Sequence, residues 1–252
     1  MTEASALDLP HGYSLVSFEE IGSTNDEARR LAETGAPHGT VVTAKRQTAG
    51  RGRRGRAWVS PEGNLHVSVI VRPNVEAERA SQLSFVAALA VGETMLKFIS
   101  GGVTLRYKWP NDVLLNGAKA SGLLLETASA ANGMIGWVVI GVGINVAHYP
   151  EDMPYPATSL QAQGARATVK SVLPGFVGHL ADWYDRWRDH GFAPVRDAWL
   201  EKAAGLAEEV EVRLSNETIR GRFERLDADG ALIIALPGGE TRRITSGDVF
   251  FV

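Results

Sequence analysis

The sequence predicts an α+β protein: a main domain built on a mainly antiparallel mixed sheet with helices on one face, followed by a small β-barrel. Three observations predict it. Asn116-Gly117 and Asn132-Gly133 are tight-turn dipeptides set between apolar, β-branched runs, and successive hairpins make an antiparallel sheet. Two stretches of helical period, residues 80–99 and 172–190, supply a covering layer. After Gly205 the chain breaks into five short strand-like runs within fewer than 50 residues, as a small barrel would.

Taken in order, residues 13–19 alternate as a strand. Thr24-Asn25-Asp26-Glu27 has the form of a capping box, in which threonine and a glutamate three residues on satisfy two free amides reciprocally. The helix it opens buries Ala28, Leu31 and Ala32 and stops at Gly35. Residues 40–44 and 65–71 are strands, separated by a glycine- and arginine-rich loop. Residues 80–99 form the longest helix, with Leu83, Val86, Ala87, Ala90, Val91, Leu96 and Phe98 near helical spacing. Val103, Leu105 and Tyr107 alternate as a strand. The two Asn-Gly turns then join residues 113–115 to 120–126 and lead into 134–146. Three prolines make 145–164 a loop. The helix over 172–190 carries Phe176, Leu180, Trp183, Tyr184 and Trp187 on one side, and Pro174 fits only in a first turn. Residues 194–204 continue the helical part. The five terminal runs are 210–214, 218–226, 231–236, 241–244 and 249–252, punctuated by Asp229-Gly230, Gly238-Gly239 and Ser246-Gly247. The domains therefore divide as 1–204 and 205–252.

Composition narrows the function classes. At 44% hydrophobic and 22% charged, 252 residues can bury a full core. The absence of cysteine excludes disulfides, thiolate metal sites and a cysteine nucleophile. The six histidines show no His-Glu-x-x-His spacing, so no zinc site is expected. The opening MTEASALDLPHGYS lacks a basic-then-apolar pattern, and no apolar run is long enough to span a bilayer. A cytoplasmic protein without membrane contact is expected. Net charge is −3, but Lys45, Arg46, Arg51, Arg53, Arg54 and Arg56 stand together without an acid between them. The remainder carries 20 basic against 29 acidic residues, a net −9. A focused positive segment on an acidic body suggests a polyanionic ligand at one place.

That segment holds Gly50-Arg51-Gly52-Arg53-Arg54-Gly55, a literal G-x-G-x-x-G. The dinucleotide fingerprint requires a helix to open inside the loop. Here Arg56-Ala57-Trp58-Val59-Ser60-Pro61 follows, and the Rossmann reading fails on context. No kinase signature or phosphate-loop Gly-Lys-Ser/Thr accompanies it. Glycine lets backbone approach a ligand, and arginine offers planar donors for phosphate or carboxylate. The loop suits a lid over a phosphate-bearing ligand; an exposed basic loop or an RNA-contacting segment has the same composition. Lys108-Trp109-Pro110-Asn111-Asp112 is a strand-to-turn junction whose Asp112 could fix a metal or a ribose. Lys119 lies just inside an apolar strand, where a snorkelling lysine is the common explanation. Gly141-Val142-Gly143-Ile144-Asn145 sets two glycines in a β-branched strand, a sign of a bulge or of close ligand approach.

Together these segments resemble the biotin protein ligase family. Its arginine-glycine hallmark is present as GRGRRGRAW (residues 50–58), and its second hallmark as KWPNDVLLNGAKASGLLLE (residues 108–126). Ser23-Thr24-Asn25, Gln47-Thr48-Ala49, GVGIN and Ser246-Gly247-Asp248-Val249 also look like the family, so the resemblance runs from about residue 13 to the end. It implies a class II aminoacyl-tRNA synthetase-like catalytic domain and an SH3-like C-terminal barrel. It implies ATP and biotin as substrates with Mg²⁺ held mainly through ATP phosphates, and a biotin carboxyl carrier protein as the partner whose lysine is modified.

By position, the resemblance implies that Ser23, Thr24, Asn25 and Gln47 line the biotin head group, with Gly50, Arg51, Gly52 and Arg53 closing over it. Gly122 and Gly143 leave room for the ligand. Lys119, Arg51 and Asp112 are the implied catalytic residues, and Lys119 is also implied to bind biotin, at its carboxylate. Arg51, Arg53, Arg56, Trp58, Asn111, Lys119 and Asn145 are implied to serve the ATP phosphates and nucleotide. Two departures stand out. Only about a dozen residues precede the first strand, too few for the winged helix-turn-helix of many relatives, so a monofunctional type without DNA binding, monomeric or homodimeric, is expected. Where some relatives cover the adenine with an aromatic residue, this chain reads Pro156-Ala157-Thr158-Ser159-Leu160. The alternatives are a lipoate or octanoate ligase, and a biotin-responsive nucleic-acid-binding regulator.

Overall fold

The computed structural model describes residues 8–129 and 133–251. Most of the N-terminal segment, Asn132 of the second turn dipeptide and Val252 of the last strand lie outside the described residues.

Seven strands form the larger sheet: β1 (Ser14–Ile21), β2 (Thr40–Gln47), β3 (Leu65–Val71), β4 (Leu105–Lys108), β5 (Asp112–Leu115), β6 (Ala118–Ser129) and β7 (Ile135–Ile144). Their order is β1-β2-β3-β7-β6-β5-β4. Every pair is antiparallel except β1 and β2, which run parallel. A parallel pair needs a crossover, and α1 (Thr24–Glu33) lies between its two strands in the chain. Asn116 and Gly117 both take positive φ, 48° and 78°, the backbone that a two-residue hairpin demands and that Asn-Gly supplies most readily.

The expectation that helices cover one face is corrected. α2 (Ala77–Ser81), α3 (Leu83–Leu96), α4 (Val169–His190) and α5 (Ala193–Leu200) belong to the layer containing the main core, whereas α1 packs against β2, β3 and β7 through a separate cluster of Ala28, Ala32, Val42, Ile70, Trp137 and Val139. The cause is local. Neighbouring residues point to opposite faces of a sheet, and Val41/Val42, Val69/Ile70 and Val138/Val139 are apolar on both.

Three further expectations change. Thr24 makes no capping box: Ser23 is the N-cap and no side chain caps the helix. The Thr24 hydroxyl donates to Gln47 Oε1 at 3.0 Å instead, and Glu27 pairs with Arg30. The helix expected over 80–99 is two, with Gln82 at the joint; Trp187 Nε1 donates to its side chain at 2.8 Å, and it donates to the Ala228 carbonyl. The longest helix is α4, opened by a true capping box between Thr168 and Ser171. Pro174 falls in its second turn rather than the first, where it has no N–H to offer the Lys170 carbonyl.

After α5 come β8 (Glu209–Arg213), β9 (Thr218–Leu226), β10 (Leu232–Ala235), β11 (Thr241–Ile244) and β12 (Asp248–Phe251), an antiparallel sheet ordered β11-β10-β9-β8-β12. Its inner residues Val210, Val212, Phe223 and Ile234 join the same apolar core as α3 and the larger sheet. The seam is also hydrogen-bonded, Trp109 Nε1 donating to Gly230, and the chain leading to it is tied to β4, where Tyr107 N–H donates to Lys202 and Ala204 N–H to Tyr107. Among the described residues no helix is long and apolar enough to cross a membrane.

α3 is buried almost all round, and it approaches the sheet tightly at Gly92, where an added Cβ would stand 2.7 Å from Tyr107 Cε1. Tyr107 is itself buried and stacked on Trp199, so it has nowhere to yield. Gly92→Ala is expected to cost about 1–3 kcal/mol from overpacking, read as a lowered urea midpoint at unchanged slope. An unshifted midpoint would show that the helix can move.

Candidate active site

The site begins as a floor without side chains. Register places His66 of β3 opposite Gly143 of β7, and Gly143 opposite Gly122 of β6. Side chains in such a cross-strand row share a face, so the two glycines leave a gap beside the histidine. A Cβ at Gly143 would collide with the Trp58 indole, and one at Gly122 would lie 3.1 Å from that ring and 3.2 Å from Lys119 Cε. At Gly141 a Cβ would meet the side-chain amide of Asn25. The indole Nε1 of Trp58 and Nδ1 of His66 are both buried without a hydrogen-bond partner, while His66 Nε2 lies 3.1 Å from the Pro61 carbonyl. Burial pushes the His66 imidazole below its ordinary range, the Pro61 carbonyl opposing.

A polar chain closes one end. Gln47 Oε1 accepts from the Thr24 amide at 2.8 Å and from its hydroxyl. Ser68 Oγ stands between Thr24 Oγ1 at 2.8 Å and Asn25 Oδ1 at 2.6 Å, and Asn25 Nδ2 donates to Glu126 at 3.0 Å. The diversion of Thr24 from helix capping is thus explained, because its hydroxyl belongs to this network.

The arginine-rich segment is an ordered hairpin. Trp58 N–H donates to Gly50, Gly52 N–H to Arg56, and Arg51 bridges Ala57; Arg54 and Gly55 turn it with positive φ of 55° and 71°. Its charges are balanced by three distant carboxylates. Arg51 grips Asp26 with both terminal nitrogens, at 2.5 and 2.8 Å, and reaches Glu126 at 3.3 Å. The hydrogen bond to Arg51 holds the Asp26 carboxyl below the usual range, burial opposing, and the Arg51 guanidinium is correspondingly raised. Arg54 and Arg56 pair with Asp248 of β12 at 3.2 and 2.8 Å, and Arg53 lies 4.0 Å from the same carboxylate.

The opposite end is cationic. Lys119 Nζ is 2.6 Å from Asp112 Oδ1, off the hydrogen-bonding direction, so the contact is an ion pair. Its ammonium lies 5.5 Å from the Trp58 ring and 5.4 Å from that of Tyr155. The loop that carries Tyr155 is pinned there, since Lys119 N–H donates to Pro156 and Thr158 N–H donates to Lys119. Lys108 stands over Phe250 and Phe251 at 5.3 and 5.5 Å. Burial lowers its ammonium below the ordinary 10.5, Asp112 opposing and Lys119 assisting.

These parts enclose a cavity of about 320 Å³. Ser23, Thr24, Asn25 and Gln47 line one end; Asn111, Asp112 and Lys119 line the other; Arg51, Gly52, Arg53, Arg56 and Trp58 lie in the cover; Gly122 and Gly143 form the floor. Two expected residues are not among the lining. Gly50 turns its free side to the Trp58 carbonyl and Ser60, at the base of the hairpin. Asn145 donates to the Thr158 carbonyl at 3.0 Å and faces a small side hollow. The sequence reading missed Tyr155, Lys108, Asp248 and Phe250, which also line the cavity. Lys108 and Asp248 stood inside quoted motifs, while nothing local marked Tyr155 or Phe250.

Residues 17–145 match the Biotin/lipoate A/B protein ligase family, and residues 206–252 match the Biotin protein ligase C terminal domain. A biotin–[acetyl-CoA-carboxylase] ligase of Paracoccus denitrificans is 41% identical, over 91% of this chain and 97% of that protein. The bifunctional ligase/repressor BirA of Bacillus subtilis is 36% identical, over 94% of this chain and 74% of its own length. Among solved structures, the biotin protein ligase from Aquifex aeolicus in complex with biotin and ATP superposes with a TM-score of 0.79 at 31% identity, covering 94% of this chain and 97% of that one. With both segments matched and the cavity built from the motifs they contain, this chain belongs to the biotin protein ligases of the biotin/lipoate A/B protein ligase family.

Proposed function

We infer that the protein activates biotin with ATP as biotinyl-5′-AMP and transfers it to a lysine of a biotin carboxyl carrier protein, as in acetyl-CoA carboxylase. The observation that carries this reading is the two-ended cavity, with neutral hydrogen-bonding groups at one end, cations at the other, and a glycine floor between them. A ureido ring needs paired donors and acceptors, which Ser23, Thr24 and Gln47 offer; a dithiolane or an octanoyl chain needs only an apolar slot.

In the first step a carboxylate oxygen of biotin attacks the α-phosphorus of ATP, the bond to the bridging oxygen breaks, and pyrophosphate leaves. Two anions must approach, so fixed cations in a water-poor cavity lower the barrier. Lys119 is the group for the carboxylate and α-phosphate, Arg53 and Arg56 serve the phosphates, and Asn111 serves the nucleotide. Tyr155 supplies an aromatic wall for the adenine, the function that residues 156–160 cannot provide. Mg²⁺ held mainly through the triphosphate oxygens would neutralise part of their charge. In the second step the neutral amine attacks the anhydride carbonyl, AMP leaves, and the amine sheds a proton for which Asp112 is the carboxylate in place. The cover shields the anhydride from water meanwhile.

On the same reading the larger sheet with its helices is a class II synthetase-like domain over 1–204 and the smaller sheet an SH3-like barrel over 205–252, in a cytoplasmic enzyme. The pairing of the hairpin arginines with carboxylates of the same chain disfavours the nucleic-acid reading, which needs them free for phosphates.

Incubation of a biotin carrier domain with the protein, ATP, Mg²⁺ and biotin is expected to add one biotinyl group by mass spectrometry, and octanoate in its place none. Modification by octanoate alone would select the lipoate-type alternative. Lys119→Ala should lower biotin-dependent pyrophosphate exchange by about 10²–10³-fold; near-normal exchange refutes its assignment. A bound triphosphate favours the charged form of Lys108, whose free value lies below 10.5. ATP binding should therefore take up protons at alkaline pH, between the lowered value and the ordinary one. Calorimetry in buffers of different ionisation enthalpy reads this uptake, and Lys108→Met should abolish it.

A further inference from the structure

Arg51 differs from the other hairpin arginines in where its charge is spent. Arg53, Arg54 and Arg56 gather at Asp248 of the smaller sheet, whereas Arg51 is held by Asp26 of α1 and Glu126 of β6. It already has two carboxylate partners, one of them bidentate, and to reach a phosphate it would have to leave both. Its backbone is bridged to Ala57 across the hairpin, so the anchored residue is part of the cover itself. The geometry of Arg51 therefore fits an anchor of the cover better than a phosphate ligand.

Glu126 connects the anchor to the other end of the cavity. One of its oxygens accepts from Arg51 and the other from Asn25 Nδ2. Asn25 is joined through Ser68 to Thr24, and Thr24 to Gln47. A continuous line of polar contacts thus runs from the neutral pocket to the arginine hairpin, and the only carboxylate along it is Glu126. A ligand that fixes Thr24 and Gln47 also fixes Asn25, and through Glu126 it fixes the orientation in which Arg51 is held.

We propose that Glu126 and Asp26 are positioning residues that couple occupation of the head-group pocket to closure of the hairpin, and so retain the acyl-adenylate until the acceptor amine arrives. This rests on the ligase reading above and adds to it a route of coupling. Glutamine at position 126 keeps the shape but offers one acceptor oxygen for two donors, and its amide N–H₂ faces a donor. Asparagine at position 26 removes the charge that Arg51 grips, while glutamate there keeps it. The three side chains remain partly exposed, at 24–37%, so these pairs add little to global stability and the variants are expected to fold.

The test measures two quantities on the full-length wild type, Glu126→Gln, Asp26→Asn and Asp26→Glu. One is release of preformed biotinyl-adenylate, followed by labelling of bystander lysines on an added unrelated protein. The other is the factor by which biotin tightens binding of a non-hydrolysable ATP analogue, expected at about 5–150-fold where two sites are coupled. Glu126→Gln and Asp26→Asn should release adenylate about tenfold faster or more, about 1.4 kcal/mol, and bring the coupling factor towards one. Asp26→Glu should retain the adenylate. A merely structural role would weaken biotin binding alone and leave the coupling factor unchanged, which overturns the proposal, as does unaltered release from both charge-removing variants. Should Glu126→Gln fail to fold, the Asp26→Asn and Asp26→Glu pair decides. A wild-type protein that makes no adenylate overturns the ligase reading and the coupling together.

Discussion

The structure depends on balancing the charge of one short hairpin. Between Lys45 and Arg56 the chain carries six cations and no acid, so the four arginines from 51 to 56 repel one another and cannot supply their own counterions. The carboxylates come from α1, β6 and β12, which are remote in sequence and brought together only by the complete fold. Each ion pair is partly exposed and worth little alone. Collectively they fix where the cover sits, because the three carboxylates stand on three separate elements. The smaller sheet is accordingly part of the site: Asp248 gathers three arginines, and Phe250 of the same strand forms part of the wall.

The floor and the lysines follow a related logic. A ligand can lie on bare backbone only where facing residues lack side chains, and the Gly122–Gly143 pair supplies that across two strands. The same gap admits the Trp58 indole, which places an aromatic face beside Lys119. Tyr155 stands at a similar distance from that ammonium, and Lys108 has Phe250 and Phe251. Rings hold a cation in place by their quadrupoles without neutralising it. Lys119 keeps one carboxylate partner, Asp112; the rings beside both ammonium groups hold them without adding another, which would cancel more of the field that an arriving anion needs.

What could be read from the sequence was local. The Asn116-Gly117 turn needs two positive φ values, and those residue types announce it. The five terminal strands and the buried face of α4 are written in periodicity. The arginine hairpin and the Lys108-to-Glu126 segment were visible as strings, and most of their side chains meet at the cavity. Readings that failed turned on distant partners. Thr24 and Glu27 have capping-box spacing, but Gln47 and Ser68 compete for the threonine hydroxyl. The helix over 80–99 has unbroken apolar spacing, yet it divides at Gln82, whose side chain is held by Trp187, far along the chain. The one-face helix layer failed because a run such as Val41-Val42 has no alternation from which to choose a face. Arg51 was legible as a cation and illegible as an anchor, since its partners lie 25 and 75 residues away.

The two ends of the cavity divide a problem that one kind of group could not solve. Recognition of a neutral ring calls for donors and acceptors already satisfied by one another, so that the ligand exchanges one hydrogen bond for another at little cost. The Gln47–Thr24–Ser68–Asn25 chain is such a set. Joining two anions calls for excess positive charge in a dry place, which the same chain would dissipate if it reached the lysines. Glu126 marks where the neutral set ends and the charged set begins. A carboxylate there accepts from the amide on one side and the guanidinium on the other, and no neutral side chain of that size can do both. The position of a single acid thus keeps recognition and chemistry apart while leaving them mechanically connected.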